Sequence, residues 1–280
     1  MTGRVGALLW SLAFLVGGFA LTLPFLQLIA SSDRLAAPGS ALGLAAMQSL
    51  VLLSVFGALT WLIGRRVLGL RAADYGLVPA SRGVRGFGWG FGIGAGLAAA
   101  AMIAAVALGH AVWQDDGGAP SSWLVSVVAT GLVLLPAALA EELIFRGVPL
   151  LALSRAFGRL PAIIGLALLF GLGHLLNPGI TGLAVANIAI AGVFLGLAFF
   201  SPGGLWTATG AHLGWNLALA ALAAPVSGLP LPMPWLDYLA EGPAWLTGGG
   251  FGPEGGALGA LCLLAGVALA ARRTTKGETG

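Results

Sequence analysis

Charge is what this sequence most lacks. Only 8% of its 280 residues are Asp, Glu, Lys or Arg, against about 25% in a soluble domain. Together with 58% hydrophobic residues and a mean hydropathy of +0.98, this excludes an ordinary water-soluble fold and points to a polytopic membrane protein. Cysteine is nearly absent as well: Cys262 stands alone, which excludes an intramolecular disulfide and a four-cysteine zinc site. Apolar runs recur from end to end with short polar breaks, so residues 1–280 are read as a single membrane domain, all-α, a transmembrane helical bundle.

Eight spans are predicted, at about 5–30, 41–64, 86–112, 122–150, 160–176, 182–200, 203–224 and 255–271, because roughly 20 apolar residues cross a bilayer. The first run is too long for a signal-peptide core and reads as a retained signal anchor. The pI of 9.8 does not argue for nucleic acid, since the basic residues are scattered at the ends of apolar runs. Arg4, then Arg65, Arg66, Arg71, Arg82 and Arg85, then Arg146, Arg155 and Arg159, then Arg272, Arg273 and Lys276 fall in alternate loops, with Arg34 the exception. The opposite loops carry Asp33, Asp115, Asp116, Asp237, Glu241 and Glu254. An even number of spans with both termini cytoplasmic satisfies this pattern.

The run GFGWGFGIGAG at 86–96 offers two four-residue stripes, Gly86, Gly90 and Gly94 or Gly88, Gly92 and Gly96, and either lets another helix backbone approach closely. NPGIT (177–181) and SPGG (201–204) are turn formers between spans. Residues 225–254, rich in Pro, Gly and Trp, read as an external loop anchored in the interface by Trp235, Tyr238 and Trp245.

Ionisable side chains within the apolar runs are few: Glu141, Glu142, Arg146, His174 and His212, with His110 near the outer end of the third span. A charged group at mid-bilayer costs roughly 2.5–3.5 kcal/mol on insertion scales, so such groups face one another or a wet cavity. Counted at about 1.5 Å per residue from the ends of their spans, Glu141 lies roughly 18 Å deep, His174 roughly 21 Å and His212 roughly 14 Å. Three helices can thus bring a carboxylate and two imidazoles to one level. Glu142 and Arg146, four apart, share a helix face as an ion pair requires, and Glu141 is rotated about 100° from Glu142. Phe170 and His174 are again four apart, as are His212 and Asn216, so each pair presents one face.

Two chemistries fit this set. A carboxylate with two histidines can bind a catalytic metal and leave a position for water, with Glu141, His174 and His212 as the ligands and zinc as the ion. Alternatively, a buried glutamate acts as general base toward water while histidine and asparagine stabilise an oxyanion. Neither HExxH nor another two-histidine zinc spacing within one helix is present.

EELIFR (141–146), FGLGH (170–174) and HLGWN (212–216), in this order on separate apolar segments, resemble the three motifs of the CPBP intramembrane proteases. That family groups type II CAAX prenyl endopeptidases with bacterial bacteriocin-processing or immunity proteins. The resemblance covers roughly residues 120–224 and implies roles residue by residue. Glu141 would activate the attacking water with His174; His212 and Asn216 would stabilise the tetrahedral oxyanion; Glu142, Arg146 and Phe170 would support the site. It also implies the label metalloprotease, with a peptide or protein substrate that is membrane-associated and in some members lipidated. A composition rich in Ala, Gly, Leu and Arg points to a bacterial cytoplasmic membrane.

Plainer readings stand beside these. Glu142 with Arg146 can be a purely structural pair, either histidine taken singly can be a hydrogen-bonded core residue, His110 reads as interfacial, and Asn187 reads as interhelical glue that could line the cavity. A proton-coupled carrier would also place Glu and His in the membrane, but no internal repeat is visible. A silent scaffold or immunity protein would have no need of the complete set.

Overall fold

The computed structural model describes residues 3–31, 41–77 and 79–278. Asp33 and Arg34, assigned above to loops, lie outside the described residues. Within them the chain is an all-helical bundle with one small two-stranded sheet. Helices α1 (Arg4–Ala30), α2 (Ala41–Leu59, continued by a wider π-type turn through Val67), α3 (Ala80–Ala107) and α4 (Pro120–Arg146) are followed by α5 (Val148–Phe157), α6 (Arg159–Leu172), α7 (Gly182–Phe199), α8 (Leu205–Ala221), the short α9 (Ala244–Thr247) and α10 (Ala257–Glu278).

Many large apolar side chains point outward, among them Leu8, Leu9, Leu12 and Phe25 on α1 and Leu124, Val125 and Leu132 on α4. Such a surface is stable against lipid and not against water. Six stretches among the described residues are helical, long and apolar enough to cross a membrane, not the eight expected. The two that fall short are instructive. α6 has 14 residues and α8 has 17, rises of about 21 and 25 Å against a hydrocarbon core of about 30 Å. α8 is also largely surrounded by protein, with twelve of its residues buried.

Sequence explains where α8 sits. Of the two glycine stripes, the structure selects Gly86, Gly90 and Gly94, all buried, while Gly88, Gly92 and Gly96 have open space beside them. A Cβ at Gly90 would fall on the Thr207 carbonyl and one at Gly94 on that of Ala211; reciprocally, Gly210 and Gly214 of α8 abut the Phe87 and Phe91 carbonyls. Small residues on both partners let α3 and α8 meet backbone to backbone, which is the strongest packing argument available inside a membrane. The SPGG turn delivers the chain into α8 through Gly203 (φ 109°) and Gly204 (φ 56°), conformations that side-chain-bearing residues avoid.

One end of the bundle is basic. Arg4 donates to the Ala156 carbonyl (3.3 Å), Arg155 pairs with Asp74 (3.1 Å), and Arg82, Arg159 and Thr274 line one open cleft there. The first and last helices therefore present Arg4 and Thr274 to the same end. At the other end, α3 stops at Ala107 and residues Ala111–Asp115 form a strand, β1, which pairs antiparallel with β2 (Leu236–Ala240). The expected third span thus ends earlier than residue 112.

The sheet draws the expected external loop onto the bundle. Tyr238 is buried with its ring 5.7 Å from Trp113, Trp235 packs edge-on to Trp123 at 5.9 Å, and only Trp245 is largely exposed. Trp113 and Trp123 donate their indole N–H groups to the Leu222 and Ala221 carbonyls at 3.0 and 2.8 Å. They satisfy the carbonyls that end α8.

Candidate active site

The last two turns of α4 carry Glu141, Glu142 and Arg146. At i and i+4, Glu142 Oε1 and Arg146 Nη1 are 3.1 Å apart, and both residues are buried. Arg146 Nη2 reaches across to donate to the Gly192 carbonyl of α7 at 3.2 Å, and its guanidinium lies 4.6 Å from the ring centre of Phe170. The charge is thus neutralised, hydrogen-bonded and shielded, as burial demands.

Glu142 has a second partner. His212, on α8 beside the Ala211 that meets α3, places Nδ1 2.9 Å from Glu142 Oε1 and Nε2 3.7 Å from Glu141 Oε2. The imidazole stands between the two adjacent carboxylates, one in direct hydrogen bond and the other just beyond it. Glu141 differs from its neighbour: its side chain is about one-third exposed (34%), yet Oε2 is buried without a protein hydrogen-bond partner.

His174 is placed differently from the expectation of a span running through residue 176. α6 ends at Leu172, and His174 sits in the turn that follows, its N–H on the Gly171 carbonyl at 3.2 Å. Its Nδ1 donates to the Phe170 carbonyl at 2.7 Å, which assigns the lone pair to Nε2 in the neutral ring. Phe170 organises the group: its ring centre lies 4.8 Å from that of His174, 6.0 Å from that of His212 and 5.1 Å from that of Phe145, all edge-on. His174, His212 and Asn216 line one small cavity of about 30 Å³, room for a water or two.

The structure thus brings Glu141, Glu142, Arg146 and His212 into one network and puts His174 and Asn216 on the same cavity as His212. Asn187, assigned above to helix packing, is fully buried, and its amide donates to the carbonyls of Glu254, in a short 3-10 turn, and of Gly256, just before α10, at 2.8 and 2.9 Å. His110 lies at the far end of α3, its carbonyl accepting from Glu241 and Gly242.

One side chain of this cavity was missed. Glu254, read from sequence as an outer-loop acid, is buried and lines the same cavity as His174, His212 and Asn216. Its Oε1 accepts from Trp215 Nε1 at 3.1 Å, and Oε2 accepts from the Ser227 hydroxyl at 3.0 Å and from the Ser227 backbone N–H. Burial pushes its carboxyl above the ordinary carboxylate value of 4.5, against the opposing pull of the Ser227 donors, His174 and Trp215.

The metal reading meets the same geometry. Among the described residues no group of three His, Cys, Asp or Glu side chains is arranged to hold a metal ion. His174 Nδ1 is committed to a carbonyl and His212 Nδ1 to Glu142. Each ring thereby keeps Nε2 free, as a metal-ligating histidine does, so the donor chemistry of Glu141, His174 and His212 suits a zinc ion although the three side chains are not gathered around one position.

Comparison with known proteins bears on the same segment. Residues 120–218 match the family model described as type II CAAX prenyl endopeptidase Rce1-like, a range that starts with α4 and ends two residues after Asn216. No curated protein and no solved structure matches the chain.

Proposed function

Residues 120–218 assign this integral, multi-pass membrane protein to the CAAX protease family of Rce1-like type, and from that premise we propose a metal-free mechanism and a substrate class. The protein hydrolyses peptide bonds of a membrane-associated substrate, lipidated or simply apolar, with Glu141 as general base. The observation that carries this reading is the division of labour between adjacent carboxylates. Glu142 holds Arg146 and His212 through Oε1 and is fully buried, its Oε2 sealed in without a partner, while Glu141 is one-third exposed and keeps Oε2 unpaired beside His212 Nε2, so Glu141 is the carboxylate that water reaches and that can accept its proton. His174, with Nδ1 fixed on the Phe170 carbonyl, presents Nε2 to the same water and shares its activation.

The carbonyl under attack becomes a tetrahedral oxyanion. Asn216 donates to it from its amide, and His212, in its doubly protonated form, donates from Nε2 while Nδ1 stays on Glu142; donors held in place before reaction are the effective ones in a water-poor site. The proton taken by Glu141 then passes to the leaving amine as the C–N bond breaks. With the basic end on the cytoplasmic side of a bacterial inner membrane, substrates tethered to that membrane are the ones within reach of the site.

The test is cleavage of a quenched peptide library, with lipidated and unlipidated members, by the detergent-solubilised protein. Glu141→Gln should abolish cleavage while the melting temperature stays within a few degrees, and a zinc chelator should leave wild-type cleavage unchanged. Retained cleavage by Glu141→Gln would remove Glu141 from the chemistry, and chelator sensitivity would restore the zinc reading. A correctly folded wild type that cleaves no member would favour a binding role for the same fold.

A further inference from the structure

Segment 225–256 does more than cover the cavity. The turn after α6 and the helices α7 and α8 converge on it through polar groups of Asn177, Asn187 and Trp215. Asn177, in the turn that carries His174, donates its amide to the Ser227 carbonyl at 2.9 Å, and its own N–H rests on the His174 carbonyl at 2.9 Å. Ser227 in turn donates its hydroxyl and N–H to Glu254. Glu254 also receives the indole N–H of Trp215, the residue next to Asn216 on α8. Asn187 of α7 fixes the backbone at and just after the carboxylate by holding the Glu254 and Gly256 carbonyls.

A single carboxylate therefore closes a chain of hydrogen bonds from the His174 turn to the Asn216 turn. It spans the cavity whose walls carry the proposed base partner and the proposed oxyanion donor. A buried carboxylate is costly unless hydrogen bonds compensate it. Four lone-pair sites here meet three donors from two separate segments. A chain fold that needed only to shut the end of the bundle could do so with apolar residues.

We propose that Glu254 is a positioning residue of the hydrolytic site, a tie that fixes the separation between His174 on one wall and Asn216 on the other and closes the outer end of the cavity. This rests on the hydrolytic reading above. It makes segment 225–256, which lies outside the range matched by the family model, a working part of the site. Loss of the tie lets the two walls drift, and displacements of the order of 1 Å cost roughly 100-fold in rate.

The experiment compares wild type, Glu254→Gln and Glu254→Ala, all in a Cys262→Ser background that leaves no native cysteine. Glu254→Gln keeps the shape but sets an amide NH2 against N–H donors, so it retains part of the tie; Glu254→Ala removes it. On a cleaved peptide, kcat should fall roughly 10-fold for Gln and roughly 100-fold for Ala, with KM within about twofold, because misplaced reacting groups weaken the transition state more than the bound substrate. Spin labels on cysteines at Leu176 and Leu222 should give one narrow distance distribution in wild type and a broadened one in Glu254→Ala. Unchanged kcat with an unchanged distribution would overturn the proposal. So would a loss of kcat that follows only the loss of folded protein on melting and returns at lower temperature. If wild type cleaves no peptide, the hydrolytic reading falls separately, and the distance measurement alone decides whether Glu254 ties the walls.

Discussion

Removing the guanidinium of Arg146 tests the central electrostatics of the fold. Arg146 is 2% exposed and Glu142 fully buried, so neither charge can turn to solvent when its partner goes. Arg146→Ala deletes the 3.1 Å bond to Glu142, the 3.2 Å bond to the Gly192 carbonyl and the stacking over Phe170. It leaves Glu142 with His212 as its one remaining partner. Breaking a buried pair from one side costs about 3–5 kcal/mol, most of it the uncompensated charge. Arg146→Lys keeps the charge but lacks a fork able to serve Glu142 and Gly192 together, and should cost about 1–2 kcal/mol, one hydrogen bond to a charged or carbonyl partner. The pair replaced together, Glu142→Met with Arg146→Leu, should cost clearly less than the sum of the single changes, because no orphaned charge remains. The assay is equilibrium unfolding of the purified protein in mixed micelles by SDS titration, followed by circular dichroism. A cost below about 1 kcal/mol for Arg146→Ala, or strict additivity in the cycle, would show that the pair is solvated and that Glu142 is not committed as described.

Packing and titration give two further checks. Gly90→Ala puts a methyl group on the Thr207 carbonyl and should destabilise by about 1–3 kcal/mol, the range for overpacking, while lowering cleavage because α8 carries His212. Gly92→Ala, on the open face, should be neutral or gain up to about 1 kcal/mol from helix propensity; equal thermal shifts for the two would refute the assigned stripe. Because the Glu254 carboxyl is raised above 4.5 in the fold, the folded protein binds its proton more tightly than the unfolded chain. Its contribution to stability is full below pH 4.5 and is lost as pH rises through the raised value. Melting temperature should therefore fall with pH across that window in wild type and fall less in Glu254→Gln, and parallel slopes would remove Glu254 as their cause.

How much of this was legible in the sequence depends on how local each interaction is. The Glu142–Arg146 pair follows from helical spacing alone, and the buried polar set could be collected because every member interrupts an apolar run. The glycine stripe was legible only as a pair of alternatives, since alternate glycines mark two faces of α3 at once. The choice belongs to α8, whose own Gly210 and Gly214 face Phe87 and Phe91. Span counting failed where hydropathy cannot see a helix stop: Gly171, Leu172 and Gly173 are as apolar as a span, yet α6 ends among them, and that ending puts His174 in a turn.

Glu254 shows the limit most clearly. It lies 38 positions after Asn216 in a glycine- and proline-rich segment, where an acid ordinarily marks solvent. No local period connects it to the cavity, because its donors are an indole on α8 and a serine 27 residues upstream. Two signals could have raised the question: an acid bracketed by Pro253 and the pair Gly255 and Gly256, and an unexplained amide, Asn187, in the most apolar span. A buried amide needs two acceptors for its two hydrogens, and here they are the carbonyls of Glu254 itself and of Gly256. The same accounting that sets Glu141, partly exposed with an unpaired oxygen, apart from the fully buried Glu142 thus also leads to Glu254, a carboxylate whose partners reach it from α8 and from Ser227.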